Sequence, residues 1–541
     1  MSRESRLFGG AVVVGLVAAS SAAGADSTLT FDGTLTDAGD EHVLIDFEVP
    51  AGTQEIQIDH DDLSADDILD WGLWSPDGFR GWGGGNTEPL VVGELASSRS
   101  YLIGPITPGT WHFDIGKAKL VDGSADYAIT VTLRDAPTLP PQTERTPLAV
   151  PGPTLSDATA WYAGDFHVHS EQSGDASATF QQITDLARQR GLDFVELSDH
   201  NTTAQLDYYK SIQDGVTDLL FMPGVEFTTY HGHANGIGAT AFVDFRMGLP
   251  DVDIHAAATA YHAQGALFSI NHPAFDLGDA CIGCAFQYVD EMEPGELDGI
   301  EVATAASAQI FYDQTSKIWE SLADRGHRLA ALGGSDDHSA GENIGAFGAP
   351  IGSPTTMVYA AGLSAEAIKD GIREARTVVK VRGPDDPMAE VSIDGDDVVA
   401  RITGGGGLEG QWVVDGVIGD RFSIDADPFE SRVSVVPLPD KARRARLEIL
   451  EGASPVTLTS HVWIEAGDGG AGGAGGSAST SGISPEGGGA DGCAAANDVD
   501  DVRGGGVTAL LVAAAAVSTR LRRRRNKTKR SGRPAREETA E

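Results

Sequence analysis

The sequence predicts a multidomain chain in which a central α/β unit, a parallel sheet or barrel, lies between two β-sandwiches. Three observations carry this. Between about 160 and 382, apolar residues switch repeatedly between the two-residue period of strands and the spacing of helices. Before and after that stretch, short alternating runs are separated by turn residues. A proline-rich segment at 136–154 and a glycine-rich one at 466–492 mark the units off. A chain of 541 residues is also too long for a single core.

Residues 1–26 have the form of a secretory signal. Arg3 and Arg6 are basic, 8–19 is an apolar run too short to span a bilayer as a stable helix, and Ser21 to Ala25 are small. Export to the cell surface, the outer envelope or the medium is the expectation, and it permits disulfides. Residues 27–135 alternate at 43–49, 56–59 and 127–133, as a small antiparallel sandwich does. The pattern resembles the prepeptidase C-terminal type of β-domain. The acidic stretch 59–70 has no spaced calcium-loop motif and reads as a solvated edge.

In the central unit, 155–383, Phe180, Ile183, Leu186 and Ala187 predict a helix over 178–190, and Gly191 stops it. Helices are also predicted at 253–264 and 307–325. Strands are predicted at 194–197, 219–225, 267–270, 299–302 and 329–332. Short strands return at 384–465, for example 389–393 and 446–450, and predict the second sandwich. The tail at 493–541 begins at Cys493 and holds a weakly apolar run at 506–517 and the basic cluster Arg522 to Arg525. It resembles the C-terminal sorting signals of myxobacterial surface proteins, so membrane contact is expected only there.

The net charge of −42 argues against a nucleic-acid partner, since phosphate backbones need a basic face. It fits a soluble protein working outside the cytoplasm, and solubility alone is the simplest reading.

The chemistry gathers in the central unit. In GDFHVHS, His167 and His169 are two apart on a predicted strand, so both imidazoles leave from one face. Only 14 histidines exist, and they recur with acids just after predicted strands. Asp175 lies in the loop after the first. Asp199 and His200 end the second, Glu226 follows the third with His231 and His233 behind it, His272 follows the run ending at Ile270, and Asp336 and His338 follow Gly333-Gly334-Ser335. Oxygen and nitrogen donors without thiolate suit zinc, manganese or iron. The separate Cys281-Ile282-Gly283-Cys284 has no partner motif for a zinc site and no thioredoxin context, so a local disulfide pinning the loop after His272 is the preferred reading.

The segments GDFHVHS, DFVELSDHN, MPGVEFT with HGHANGIG, INHP and GGSDDH, in this order, resemble the motifs of the PHP (polymerase and histidinol phosphatase) superfamily. The pattern is similar to its exported CehA/McbA-like branch, whose resemblance extends over 160–382. It implies a distorted, TIM-like seven-stranded β/α barrel holding two or three divalent ions. Carried over, it assigns His167, His169, Glu226 and Asp336 to one ion, with Glu226 bridging to a second held by His233 and His272. Asp175, His200 and His338 match a third, although Asp175 stands where many members have His. Glu301 matches a pocket carboxylate, Asp199 an orienter of the ligands, and His231 is the candidate leaving-group acid. The implied activity is metal-dependent phosphoester hydrolysis. Hydrolysis of a carboxylic ester or carbamate, and a non-catalytic metal-binding surface module, are the alternatives.

Overall fold

The computed structural model describes residues 26–466 apart from 149–151, 279–280, 306–307 and 346–347. The signal-like segment before Asp26, the glycine-rich tether and the sorting-type tail lie outside the described residues. Among the described residues no helix is long and apolar enough to cross a membrane.

Residues 27–134 form two four-stranded antiparallel sheets. One runs in the order Ser27–Thr36, Ser124–Arg134, Glu55–Asp61 and Leu90–Gly93, the other His42–Val49, Gly109–Lys119, Ile68–Ser75 and Gly78–Trp82. The alternation read from sequence is the burial pattern of these strands: Tyr127, Ile129, Val131 and Leu133 point inward while their neighbours do not. The two sheets share one core, in which Trp71, Trp111 and Phe113 are fully buried.

In the central unit the expected helices form within a residue or two, and two of them begin at a side-chain cap. Thr179 and Gln182 make a reciprocal capping box before Phe180–Gln189, and Phe180, Ile183, Thr184 and Ala187 are its buried face. Asp253 caps Ile254–Ala263, accepting from the Ala256 amide at 2.8 Å. Ala308–Asp324 follows the expected third helix, and Tyr209–Gln213 and Ala365–Arg373 complete five among the described residues.

The central sheets differ from a simple parallel barrel. Ala160–Val168 pairs in parallel with Phe194–Leu197, and that strand with Leu220–Pro223. A second sheet runs Glu226–Thr229, Gly232–Ile237, Leu267–Ile270, Gly299–Thr304 and Ala330–Gly334, with its first three strands antiparallel and its last three parallel. Continuous ladders do not close a ring. Single bridges, Val168 to Asp337 and His200 to Glu226, connect the two sheets, and the expected β/α barrel is present only to that extent. The hairpin from Glu226 to Ile237 replaces a helical crossover, which leaves fewer helices than a seven-fold β/α repeat needs.

The C-terminal strands do not stand apart. Thr355–Ala360 pairs with the far side of Ala160–Val168 and with Thr377–Lys380, which pairs with Ser454–Thr459. One sheet thus runs from the central unit into Arg443–Glu451 and Glu409–Val414. A separate three-stranded sheet, Met388–Asp394, Asp397–Thr403 and Phe429–Ser434, packs on this extension through Ala400, Ile402, Trp412 and Leu447.

Candidate metal centre

The single bridges between the two sheets fall where the expected ligands end their strands. Side chains from both sheets therefore meet at one point. Glu226 lies at that point and is fully buried. Its Oε2 faces His167 at 3.3 Å, His169 at 3.4 Å and His200 at 2.8 Å. Its Oε1 faces His233 at 3.3 Å and His272 at 3.2 Å. One carboxylate therefore addresses five imidazoles, and its two oxygens divide them into two sets.

The donors form three groups, each compact enough for one ion. His167, His169, Glu226 and Asp336 are the first, His233 and His272 with Cys284 the second, and His169, His200 and His338 the third. Asp175 Oδ2 joins the third group, 3.4 Å from His200 and 3.3 Å from His338. Nine expected ligands thus converge. Asp336 and His272 reach the cluster with positive φ, 54° and 27°, which costs about 1–3 kcal/mol at a non-glycine residue. The Asp336 amide bonds the His167 carbonyl at 2.8 Å and holds that turn.

The remaining ring nitrogens fix how the imidazoles are presented. Glu301 Oε1 receives His167 Nδ1 at 2.9 Å, and its Oε2 accepts from the His272 amide at 2.9 Å and from Thr304 Oγ1 at 2.7 Å. His272 Nδ1 donates to the Cys284 carbonyl at 2.9 Å, and His338 Nδ1 to that of Asp336 at 2.9 Å. Each of these rings turns Nε2 toward the carboxylates. Asn271 donates to Glu226 Oε1 and to Asn235, both at 3.0 Å. Sequence reading singled out Glu301 but missed Asn271 and Asn235. The signal for them is position: Asn271 precedes His272 in INHP, and Asn235 follows His233 by two on the same strand in HGHANGIG.

Asp199 occupies an orienting position. It accepts from the Ser170 amide and hydroxyl, both at 2.6 Å, and so pins the residue after His169. Burial raises its pKa to about 7. His231, expected as a leaving-group acid, is not brought to the cluster. Its Nε2 pairs with Glu41 at 2.8 Å, and it does not line the cavity. His231 lies in the turn before the strand Gly232–Ile237, so the strand geometry that turns His233 inward does not reach it.

Charge in the cluster is carboxylate-dominated. Burial opposes a charged His167, but Glu226, Glu301 and Asp336 outweigh it and raise its pKa well above the usual range. Burial likewise opposes a charged His338, yet Asp175 and Asp336 bring it up to about 9. His169, deeply buried beside His338 and His200, falls to about 3. Glu226 is held well below the carboxylate range by His167, His200 and His233 against its burial. The field that draws protons onto these rings also attracts cations.

Buried polar atoms test whether metal fits. Among the described residues, His167 Nε2, His169 Nδ1, both nitrogens of His233 and Glu226 Oε2 make no well-aligned hydrogen bond. Orphans at this density are costly unless something else satisfies them. His, Glu and Asp donors fit divalent ions.

The cluster opens into a cavity of about 910 Å³ whose other wall is the N-terminal domain. Asp61, Asp62 and Asp70 line it, so part of the acidic stretch read as a solvated edge borders the cavity. Tyr230 donates to Asp70 at 2.9 Å. The two domains meet along the loop that carries Asp175. Ser100 Oγ bonds the Gln172 carbonyl at 2.8 Å, Arg99 that of Ala176 at 2.9 Å, and a Cβ on Gly174 would sit 2.3 Å from the Gly83 carbonyl oxygen.

No known family's sequence profile and no curated protein matches the chain. Among solved structures, it is similar to a two-domain protein of Bacteroides vulgatus containing a predicted PHP-like metal-dependent phosphoesterase. Identity is 20%, coverage 59% of this chain and 98% of that one, and the TM-score 0.34. It is also similar to a candidate metal-dependent phosphoesterase of Bifidobacterium adolescentis, at 14% identity, 34% and 92% coverage and a TM-score of 0.25. Likenesses this low decide neither fold nor chemistry. The donors around Glu226 must do so.

Proposed function

We propose that the chain is a metal-dependent hydrolase of phosphate esters, acting outside the cytoplasm. One observation carries the reading: a fully buried Glu226 whose two oxygens face separate sets of imidazoles with unpaired ring nitrogens. A carboxylate so placed could bridge two cations. His167, His169, Glu226 and Asp336 would hold one ion, His233 and His272 with Glu226 a second, and Asp175, His200 and His338 a third. Zinc, manganese and iron suit these donors. Bound there, adjacent divalent ions supply Lewis acidity toward phosphoryl oxygens and lower the pKa of water.

The chain's own residues set the conditions for that chemistry. Glu226, facing both sets of imidazoles, would serve the first two ions together. Glu301 holds the His167 tautomer and, through its other oxygen, the backbone of His272. Asp199 keeps Ser170, and with it His169, from swinging out of the cluster. The motif order that resembles the PHP superfamily supports the phosphoester assignment, and the signal-like and sorting-like termini support export.

The test is elemental analysis of protein purified without chelator, followed by turnover of phosphate mono- and diesters, aryl esters and carbamates. At least two transition ions per chain and phosphoester turnover are expected. Only trace metal after reconstitution with zinc or manganese would refute the centre. Turnover confined to esters or carbamates would leave the centre standing and remove the phosphoester assignment. Recovery of an intact chain from the cytosol would rule out export.

A further inference from the structure

The second donor group contains an atom that the sequence motifs do not supply. Cys284 Sγ lies within 4.8 Å of the ring nitrogens of His233 and His272, and the Cys284 side chain lines the cavity. It is bonded to Cys281, three residues earlier, so it offers no thiolate in that state. Among the described residues, neither nitrogen of His233 makes a well-aligned hydrogen bond.

The loop is held in place without help from the disulfide. The Cys284 carbonyl receives His272 Nδ1 at 2.9 Å, and the Phe286 amide bonds the Pro273 carbonyl at 3.1 Å. Gly283, at φ 76°, lies so close to the strand end that a Cβ there would be 2.2 Å from the Thr229 carbonyl oxygen. Breaking the sulfur–sulfur bond therefore leaves Cys284 where it is, beside the two histidines.

We propose that Cys281 and Cys284 form a thiol–disulfide switch on the second metal position. As the disulfide, they leave that ion with His233, His272 and Glu226 and an open place for substrate. When reduced, Cys284 binds the ion as a thiolate and fills that place, completing a closed set of the kind structural zinc prefers. The reductant is a dithiol. Its thiolate attacks the more exposed Cys281 sulfur, the sulfur–sulfur bond breaks, and Cys284 leaves with the electron pair. The second thiol resolves the mixed disulfide. Cys281 ends as a thiol, the reductant as its disulfide, and one proton passes to solvent.

This inference rests on the metal reading, and cobalt separates the two. The full chain carrying Cys493→Ser is loaded with Co²⁺ and its absorption recorded before and after reduction by a phosphine, which takes up oxygen from water. Visible d–d bands in both states are expected, with a near-ultraviolet thiolate-to-cobalt band, corresponding to one thiolate per chain, only after reduction. Cys281→Ser, which cannot form the disulfide, should show that band without reductant, and Cys284→Ser should never show it. Visible bands without the charge-transfer band, in both reduced protein and Cys281→Ser, would overturn the switch and leave the metal centre intact. Absence of cobalt bands in every form would overturn both.

Discussion

Replacing Glu301 by Gln tests how the centre is built, because all three groups that Glu301 contacts are donors. Oε1 accepts from His167 Nδ1, and Oε2 accepts from the His272 amide and Thr304 Oγ1. Glutamine has one carbonyl oxygen and one amide nitrogen. If the oxygen faces His167, the amide meets two donors at His272 and Thr304. If it faces those two, the His167 ring faces an N–H, and its favoured tautomer moves the proton to Nε2, the atom meant for the metal. Either way one connection fails, and so does the negative charge that strengthens His167 as a donor. Loss of such an orienting partner costs about 10–100-fold in metal affinity, or roughly 1.4–2.7 kcal/mol. Competition against a chromophoric chelator measures this directly, with circular dichroism to show that Glu301→Gln folds. Affinity within twofold of wild type would refute the assignment of Glu301 as the group that presents His167.

Other perturbations have equally definite outcomes. Glu226→Gln should lower turnover about a hundredfold or more and reduce bound metal, read by kinetics and elemental analysis on the same sample; near-wild-type rates would exclude a bridging role. Asp175→Ala should remove one ion at most and leave the affinity of the first site unchanged, as a two-step metal titration would show. Gly174→Ala should destabilise the domain contact by about 1–3 kcal/mol and lower the melting temperature, since its Cβ would meet the Gly83 carbonyl. His60 lies among Trp71 and Phe113, and burial lowers its pKa from 6.5 to about 4. The unfolded chain therefore takes up a proton that the folded one refuses, and stability falls as pH drops from about 6.5 toward 4, by roughly 3 kcal/mol. Denaturant midpoints of His60→Phe should lose that part of the pH dependence.

Much of the centre was legible because ligands must sit at strand ends, and strand ends are local events. The apolar run ending at Ile270 and the appearance of His272 directly after it place that residue without any knowledge of its neighbours. The helix Phe180–Gln189 was legible for the same reason, since its apolar spacing and the stop at Gly191 are local too. Pairing between distant strands has no such local signature. Thr377–Lys380 could not be seen to pair with Ser454–Thr459, so the sheet running into the C-terminal strands was missed. The hairpin Glu226–Ile237 was read as a string of donors, and its turn at Tyr230–His231, which keeps His231 off the strand that carries His233, went unread. The acidic run 59–70 was legible as charge but not as direction, because only the contact between domains turns part of it toward the cavity.

That contact divides inheritance within the molecule. The donors that line the cavity, Asp175, His200, Glu226, His233, His272, Asp336 and His338, all come from the central unit, while residues 61–99 supply much of the rim. A mutation in the rim can alter which molecules enter without disturbing a single donor, and a mutation among the donors can abolish reaction without altering fit. A chain that kept the five motifs but carried another domain in that place would keep most of the donors and change what the cavity admits. Comparing activities across such chimaeras, joined within the proline-rich segment 136–154, would read substrate choice separately from chemistry.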